Sequence, residues 1–287
     1  MQGRFAGKAA IVAGCARPPG MGYATALRLA RGGAAVACVD AIGDVPPDWG
    51  EGAYDTGFVA PGLLEDIARE VAEAGSAEAA AFAADPFDQT SWERAANAAI
   101  ERFGRVDICC ALMGTTGPHA GDGSLLDLSV TSLQRCFDVN VVAPLLFARA
   151  CARDMIRRNE GGAIVVLSSY SAVVPPAGNG AIAAARSAAN TITAVLALEL
   201  GMHAIRVNGV QPLSVRSGDD RFPNPGLERL ASGRAESFGS WVHAEVPLGR
   251  PQSADETAAV IEFLCSDEAS FVSGVSIPVA GGSHSHA

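Results

Sequence analysis

Positive charge is in short supply in this chain. Its 287 residues carry 21 Lys and Arg against 31 Asp and Glu, a formal net charge of -10. That balance excludes nucleic acid and anionic membrane surfaces as expected partners, because both would repel it. No Cys-x-x-Cys spacing occurs among the seven cysteines at 15, 38, 109, 110, 136, 151 and 265. Most of them sit inside apolar runs, so buried free thiols in a reducing cytoplasm are expected, not a zinc site or a disulfide framework. The first apolar run ends at Ala13 and is too short for a secretory core or a membrane span. Ser283-His284-Ser285-His286 reads as a tail and not as a metal site. Also missing is any Pro/Ser-rich linker or block of charge. One domain over 1–287 is therefore expected, and a hydrophobic fraction of 49% is ample for its core.

What is present is a regular alternation of short apolar runs and longer helical patterns. The runs at 8–13, 34–39, 79–83, 106–112, 162–168, 204–210 and 275–279 predict strands, from their length and β-branched content. Helices are predicted at 21–32, 62–75, 90–103, 128–158, 178–201 and 253–266, with capping-box signals at Thr90/Glu93 and Ser253/Glu256. Strict alternation implies right-handed crossovers and a parallel sheet of about seven strands with helices on both faces: a doubly wound α/β Rossmann domain. Two Pro- and Gly-containing segments, 41–61 and 213–247, interrupt the rhythm. The second leaves the carboxyl end of a strand, where open sheets bind ligands, and is expected to be a substrate lid.

The first strand runs into Gly14-Cys15-Ala16-Arg17-Pro18-Pro19-Gly20-Met21-Gly22 and then a helix. Glycines allow backbone to approach a pyrophosphate closely, and a helix amino terminus offers free N–H groups to an anion. Asp40 lies eighteen residues past Gly22, at the end of the second strand. An acid there accepts from ribose hydroxyls and repels a 2′-phosphate, which predicts NAD over NADP.

Ser168-Ser169 closes the fifth run, and thirteen residues after Ser169 comes Ile182, followed four positions later by Arg186. In a helix, 182 and 186 share one face, a turn apart. This spacing resembles the short-chain dehydrogenase/reductase family, in which a Ser, a Tyr and a Lys occupy those three places. The likeness runs from Lys8 to Gly282 and takes in Asn140 of the long helix, the run Ile205-Arg206-Val207-Asn208 and Gly281-Gly282. The resemblance implies that Gly14, Arg17, Gly20, Met21 and Gly22 hold the dinucleotide. It also places Asp85-Pro86 near the adenine, and Gly114, Pro212, Val215 and Ser217 near the nicotinamide.

Several positions depart from the family pattern. The glycine turn holds five residues between Gly14 and Gly20 where three are usual, and Asn-Asn-Ala-Gly reads Ala111-Leu112-Met113-Gly114. Leu213 replaces a Gly, and Tyr and Lys have become Ile182 and Arg186. Isoleucine has no proton to move. The resemblance leaves Ser169, Asn140 and Arg186 as site residues, with Tyr170, His119 or His243 as a substitute acid, Tyr170 first. The expected activity is NAD-linked oxidation or reduction of an apolar or aromatic alcohol or carbonyl. The alternatives are a non-redox isomerase, lyase or cyclase on the same fold, or an inactive partner subunit. The family's long helices imply a dimer or tetramer of this chain, or a hetero-oligomer with an active relative.

Overall fold

Runs of alanine, valine and isoleucine build the sheet, because small and β-branched side chains suit strands buried on both faces. In the computed structural model, residues 3–16, 18–42, 62–75, 78–85, 88–115, 121–213, 215–216 and 246–283 are described. The strands are β1 (Ala9–Ala13), β2 (Ala35–Ala41), β3 (Ala79–Ala84), β4 (Ile108–Ala111), β5 (Gly162–Leu167) and β6 (Ile205–Pro212), with two-residue β7 (Val215–Arg216) and β8 (Gln252–Ser253), then β9 (Ser276–Val279). The helices are α1 (Met21–Arg31), α2 (Leu63–Ala74), α3 (Gln89–Phe103), α4 (Val130–Phe137), α5 (Ala143–Arg158), α6 (Gly180–Leu200) and α7 (Ala254–Cys265). Seven strands form one sheet in the order β3-β2-β1-β4-β5-β6-β9, all pairs parallel. The expected doubly wound Rossmann sheet is thus the observed one.

Helices α3, α5 and α6 bury Trp92, Phe147, Met155 and Ala189 on one face. On the other, α1, α2 and α7 bury Leu29, Ile67, Ile261 and Leu264. All seven cysteines are buried and free of disulfides, and the thiols of Cys110 and Cys265 share a hydrogen bond at 3.7 Å between β4 and α7. Asp107, at the amino-terminal edge of β4, accepts from Ala9 N–H at 2.8 Å and from Arg105 at 2.6 Å. Burial alone would raise its pKa; these donors hold it below the ordinary carboxylate value.

The order reverses between β1 and β4, so crossovers diverge there and open a crevice at the carboxyl ends of the strands. Register makes the crevice specific. Ala13 pairs with Val39 on one side and with Ala111 on the other, which sets Gly14 between the end of β2 and the end of β4.

Three local expectations are corrected. The helix expected over 128–158 is interrupted by a π-helical turn, Asp138–Val142, between α4 and α5. Pro144 lies in the first turn of α5 and has no N–H for the Asn140 carbonyl, so a continuous α-helical ladder cannot pass through it. The Thr90/Glu93 capping box does not form. Asp88 caps α3 by accepting from Thr90 N–H at 2.9 Å, while Glu93 is drawn to Arg149 and Arg153 of α5. The box at Ser253/Glu256 is present with both reciprocal bonds. Finally, β7 and β8 add a parallel pair, Val215 with Gln252 and Arg216 with Ser253, where no strand was expected. By length and composition Gly180–His203 could cross a membrane, yet α6 buries Ala181, Ile182, Ala185, Ala189 and Thr193 within the protein.

Candidate active site

At the β1 end of the crevice the geometry is set by missing side chains. Gly14 has φ +88°, and a Cβ there would stand 2.7 Å from the Leu112 carbonyl oxygen. A Cβ on Gly22 would stand 2.0 Å from the Gly14 carbonyl oxygen. Both positions need glycine for space, so the turn and the first coil of α1 lie backbone against backbone. Gly20 caps α1 without a side-chain acceptor, and no acid occupies the first turn from Met21 on. Its N–H groups and positive dipole end therefore face the crevice uncompensated by a side chain.

Asp40 closes this end. Its buried carboxylate accepts from Ala16 N–H at 2.6 Å and from Ala41 N–H at 2.8 Å, which fixes it against the glycine turn. Asp85 follows β3 and is exposed, with its carbonyl accepting from Ser91 Oγ at 3.0 Å. Pro212 ends β6 and is buried; Val215 begins β7. Arg17, Pro86 and Ser217 lie outside the described residues, as do His119, His243 and 217–245 of the expected lid. The described flanks of that segment, Leu213 and Val246, line one hollow together with Leu248, Gln252 and Gly281.

At the β4–β5 end, side chains set the geometry. Ser168 donates to the Arg186 carbonyl at 3.1 Å, which ties the end of β5 to α6. Ser169 Oγ accepts from Ser171 N–H at 3.2 Å and from Ser171 Oγ–H at 2.9 Å, so the Ser169 hydroxyl hydrogen is left to donate elsewhere. Tyr170 opens the short 3₁₀ turn Tyr170–Ala172 with its side chain buried. Asn140 is fully buried in the π-helical turn: it accepts from Thr115 N–H at 3.2 Å and donates to the carbonyls of Thr115 at 3.2 Å and Cys136 at 2.8 Å.

Arg186 crosses the carboxyl ends of β4 and β5. Its Nη1 donates to the Leu167 carbonyl at 2.6 Å, and Nη2 lies so close to Gly114 that a Cβ there would stand 2.0 Å from it. Burial pulls its guanidinium down to about 10, slightly offset by the Cys136 thiol. Burial likewise pushes Cys136 up to about 11, against the pull of Arg186. Ile182, one turn from Arg186, packs into an apolar cluster with Cys136, Val141, Ala181 and Ala185. Position 182 is therefore filled core. Gly114, Asn140 and Arg186 lie together, and Ser168, the neighbour of Ser169, bonds the Arg186 carbonyl, while Ser169 itself bonds Ser171. Thr115, Cys136 and Ser171 join them without having been singled out, although Cys136 stands four residues before Asn140 on one helical face and Ser171 two after Ser169.

Comparison with known proteins gives concordant results. Residues 59–284 match the family model described as Enoyl-(Acyl carrier protein) reductase. Trans-4-hydroxycyclohexanecarboxylate dehydrogenase of Sinomonas cyclohexanicum is 32% identical over 288 residues, covering 97% of this chain and 93% of the relative. Among solved structures, carveol dehydrogenase from Mycobacterium avium in complex with NAD aligns with a TM-score of 0.85 at 28% identity, covering 98% of this chain and 99% of that one. A short chain dehydrogenase from Mycobacterium paratuberculosis bound to NAD aligns with a TM-score of 0.83 at 26% identity, covering 99% and 100%.

Proposed function

The chain belongs to the short-chain dehydrogenase/reductase family, and from that premise we propose that it is an NAD-linked oxidoreductase acting on an alcohol or carbonyl of an apolar or aromatic small molecule, through an atypical active site. The observation that carries this reading is the cradle at Gly14 and Gly22, which a single Cβ would fill, with Asp40 fixed beside it. Both structural relatives named above were solved with NAD. A nicotinamide dinucleotide would be held by the α1 N–H groups at its pyrophosphate and by Asp40 at a ribose, and its chemistry there is the gain or loss of a hydride.

This chain's own residues do the remaining work. The Ser169 hydroxyl, with Ser171 saturating its acceptor side, donates to a substrate oxygen and orients it. Asn140 fixes Thr115 at the mouth of β4. Arg186 supplies fixed charge and N–H donors toward the nicotinamide ribose, but it does not pass protons at neutral pH. Ile182, standing where the family has its Tyr, passes none at all, and Tyr170 is the substitute acid we assign.

Equilibrium titration tests the reading: NADH is expected to bind more tightly than NADPH. Equal affinity for the two, or none for either, removes it. Tyr170→Phe should then lower turnover of cyclic alcohols by about 10²-fold or more, the usual range for acid catalysis. The burial of Ile182 among apolar side chains favours one second reading, a non-redox enzyme or an inactive partner subunit. NADH binding with no turnover of any alcohol or ketone would select it.

We further propose one domain over 1–287 and cytoplasmic placement, in keeping with seven unpaired thiols. The assembly we propose is a closed dimer or tetramer. On α6, Val195 and Leu198 are exposed, alongside Met202, Phe271 and Val275 elsewhere in the chain. A monomer by light scattering at micromolar concentration would overturn the assembly.

A further inference from the structure

One helix holds the turn that carries Ser169 from both sides. Before it, Ser168 donates to the Arg186 carbonyl at 3.1 Å. After it, Ser187 Oγ lies 3.2 Å from the Ala172 carbonyl and shares its hydrogen with the Ala183 carbonyl of its own helix. Arg186 and Ser187 are neighbours in α6, so both ends of the turn are referred to the same backbone. Between those ends the turn closes on itself, with Ala172 N–H donating to the Ser169 carbonyl at 3.0 Å and Val173 N–H to the Tyr170 carbonyl at 2.9 Å.

This frame fixes the backbone of Ser169 and leaves its hydroxyl to be fixed by something else. A serine Oγ can take three rotamers, and its hydrogen turns to suit its surroundings. Among the described residues, both partners of Ser169 Oγ belong to Ser171: the N–H at 3.2 Å and the hydroxyl at 2.9 Å. The first bond needs only backbone and survives any substitution that keeps the turn. The second needs a hydroxyl at 171. Two donors on one oxygen occupy its lone pairs, so Ser169, half-buried at the end of β5, has only its hydrogen to offer. A hydroxyl that accepts is also a stronger donor, because each hydrogen bond in a chain polarises the next. Reduction of a carbonyl builds negative charge on its oxygen, and a donor aimed there in advance needs no reorganisation as the charge grows. Ile182 cannot share that task, having no hydroxyl.

We infer that Ser171 is a positioning residue: its hydroxyl aims the Ser169 hydrogen in one direction and strengthens the donation of that hydrogen to the substrate oxygen. Ser171 acts through Ser169 and does not itself touch the substrate. The inference rests on the oxidoreductase reading and extends it to a residue whose only claim on the chemistry is the bond it makes to Ser169.

Steady-state reduction of cyclohexanone and acetophenone by NADH, followed by loss of nicotinamide absorbance, tests this on the whole protein. Ser171→Ala should lower kcat by about 10-fold, the scale of one hydrogen bond, with KM for ketone and NADH nearly unchanged. Ser171→Thr keeps both donors and should restore most of the rate. Ser171→Cys keeps the volume but donates weakly, so it should behave like Ser171→Ala; it also decides the matter if the alanine variant fails to fold by circular dichroism. The strongest discrimination comes from a double-mutant cycle. In a Ser169→Ala background, Ser171→Ala should cost nothing further, because no hydroxyl is left to aim, whereas a purely structural role would add its cost a second time. Unchanged kcat in Ser171→Ala, an equal loss in Ser171→Thr, or additive losses in the double variant would each overturn the inference. Turnover that is indifferent to Ser171 defeats this inference alone; a wild type that binds NADH and reduces neither ketone defeats the oxidoreductase reading and this inference with it.

Discussion

The two ends of the crevice obey different rules. At Gly14, Gly22 and Asp40 the site is made of backbone, and what matters is the space that side chains leave empty. At Ser169, Ile182 and Arg186 it is made of side-chain atoms, and what matters is which protons and charges those atoms carry. The first kind of site is coupled to the fold, because a change there collides with main chain. The second is only loosely coupled to it: isoleucine occupies 182 in good apolar company, and the sheet below is undisturbed. A scaffold can therefore keep the backbone of one end of its crevice while the side chains of the other end change.

The sharpest way to break this contrast is Gly22→Ala. The added methyl would stand 2.0 Å from a main-chain oxygen that cannot swing aside. Overpacking of this kind costs about 1–3 kcal/mol. NADH affinity should fall by about 100-fold, since the proposed function puts the pyrophosphate on the same turn. A fluorescence titration checks it. Wild-type affinity in a folded variant would mean that the cradle is not the binding element.

The complementary change restores side-chain chemistry. Ile182→Tyr with Arg186→Lys should raise NADH-dependent reduction of activated ketones by about 10-fold or more, with Ser169→Ala abolishing the gain. The structure adds a condition. Ile182 is buried against Cys136 and Val141, so the larger ring must displace them, at a stability cost of about 1–3 kcal/mol. Melting temperature and rate should thus move in opposite directions. A lower rate would instead point to Tyr170 as an acid already at work.

Much of this was legible beforehand, and the exceptions share a cause. Periodicity located all seven strands of the main sheet, and glycine spacing located the tight turn at Gly14 and Gly22, because both follow from local sterics. Asp40 stands one residue before the end of β2, as its spacing from Gly22 indicated. The break at Asp138–Val142 had a visible signal in Pro144, outweighed by the helical pattern on both sides. The Thr90/Glu93 box failed because Glu93 found two arginines on a helix far along the chain. Spacing put Ile182 and Arg186 on one face, but where a side chain goes from that face depends on tertiary partners. Ile182 turned to an apolar cluster and Arg186 to the Leu167 carbonyl.

A smaller effect sharpens the cofactor end. Asp40→Ala should narrow the preference for NADH over NADPH by about 10-fold, by removing ribose contacts and the repulsion of a 2′-phosphate. The variant also frees Ala16 and Ala41 N–H, so binding of both nucleotides should weaken while their ratio shrinks. An unchanged ratio would move selectivity to residues outside the described set.

The smallest expected effect serves as a control outside both the glycine turn and the Ser169–Arg186 end. Glu256 completes the box at the start of α7: it accepts from Ser253 N–H at 2.8 Å and pairs with Arg250 at 2.6 Å. The hydrogen bonds from Arg250 and then Ser253 hold its carboxyl down at about 2. A carboxyl depressed in the folded state stabilises the protein above its ordinary pKa and loses that contribution as pH falls through the folded value. The window here runs from the ordinary glutamate range down to about 2. The side chain is 41% exposed. Solvent screening at such exposure keeps the effect below about 1 kcal/mol. Glu256→Gln should therefore flatten the acid limb of a stability-versus-pH curve slightly, cost little near neutrality and leave NADH affinity untouched. A change in nucleotide affinity would show that α7, which packs beside α1, transmits strain to the cradle, and that its insulation from the scaffold is weaker than the geometry indicates.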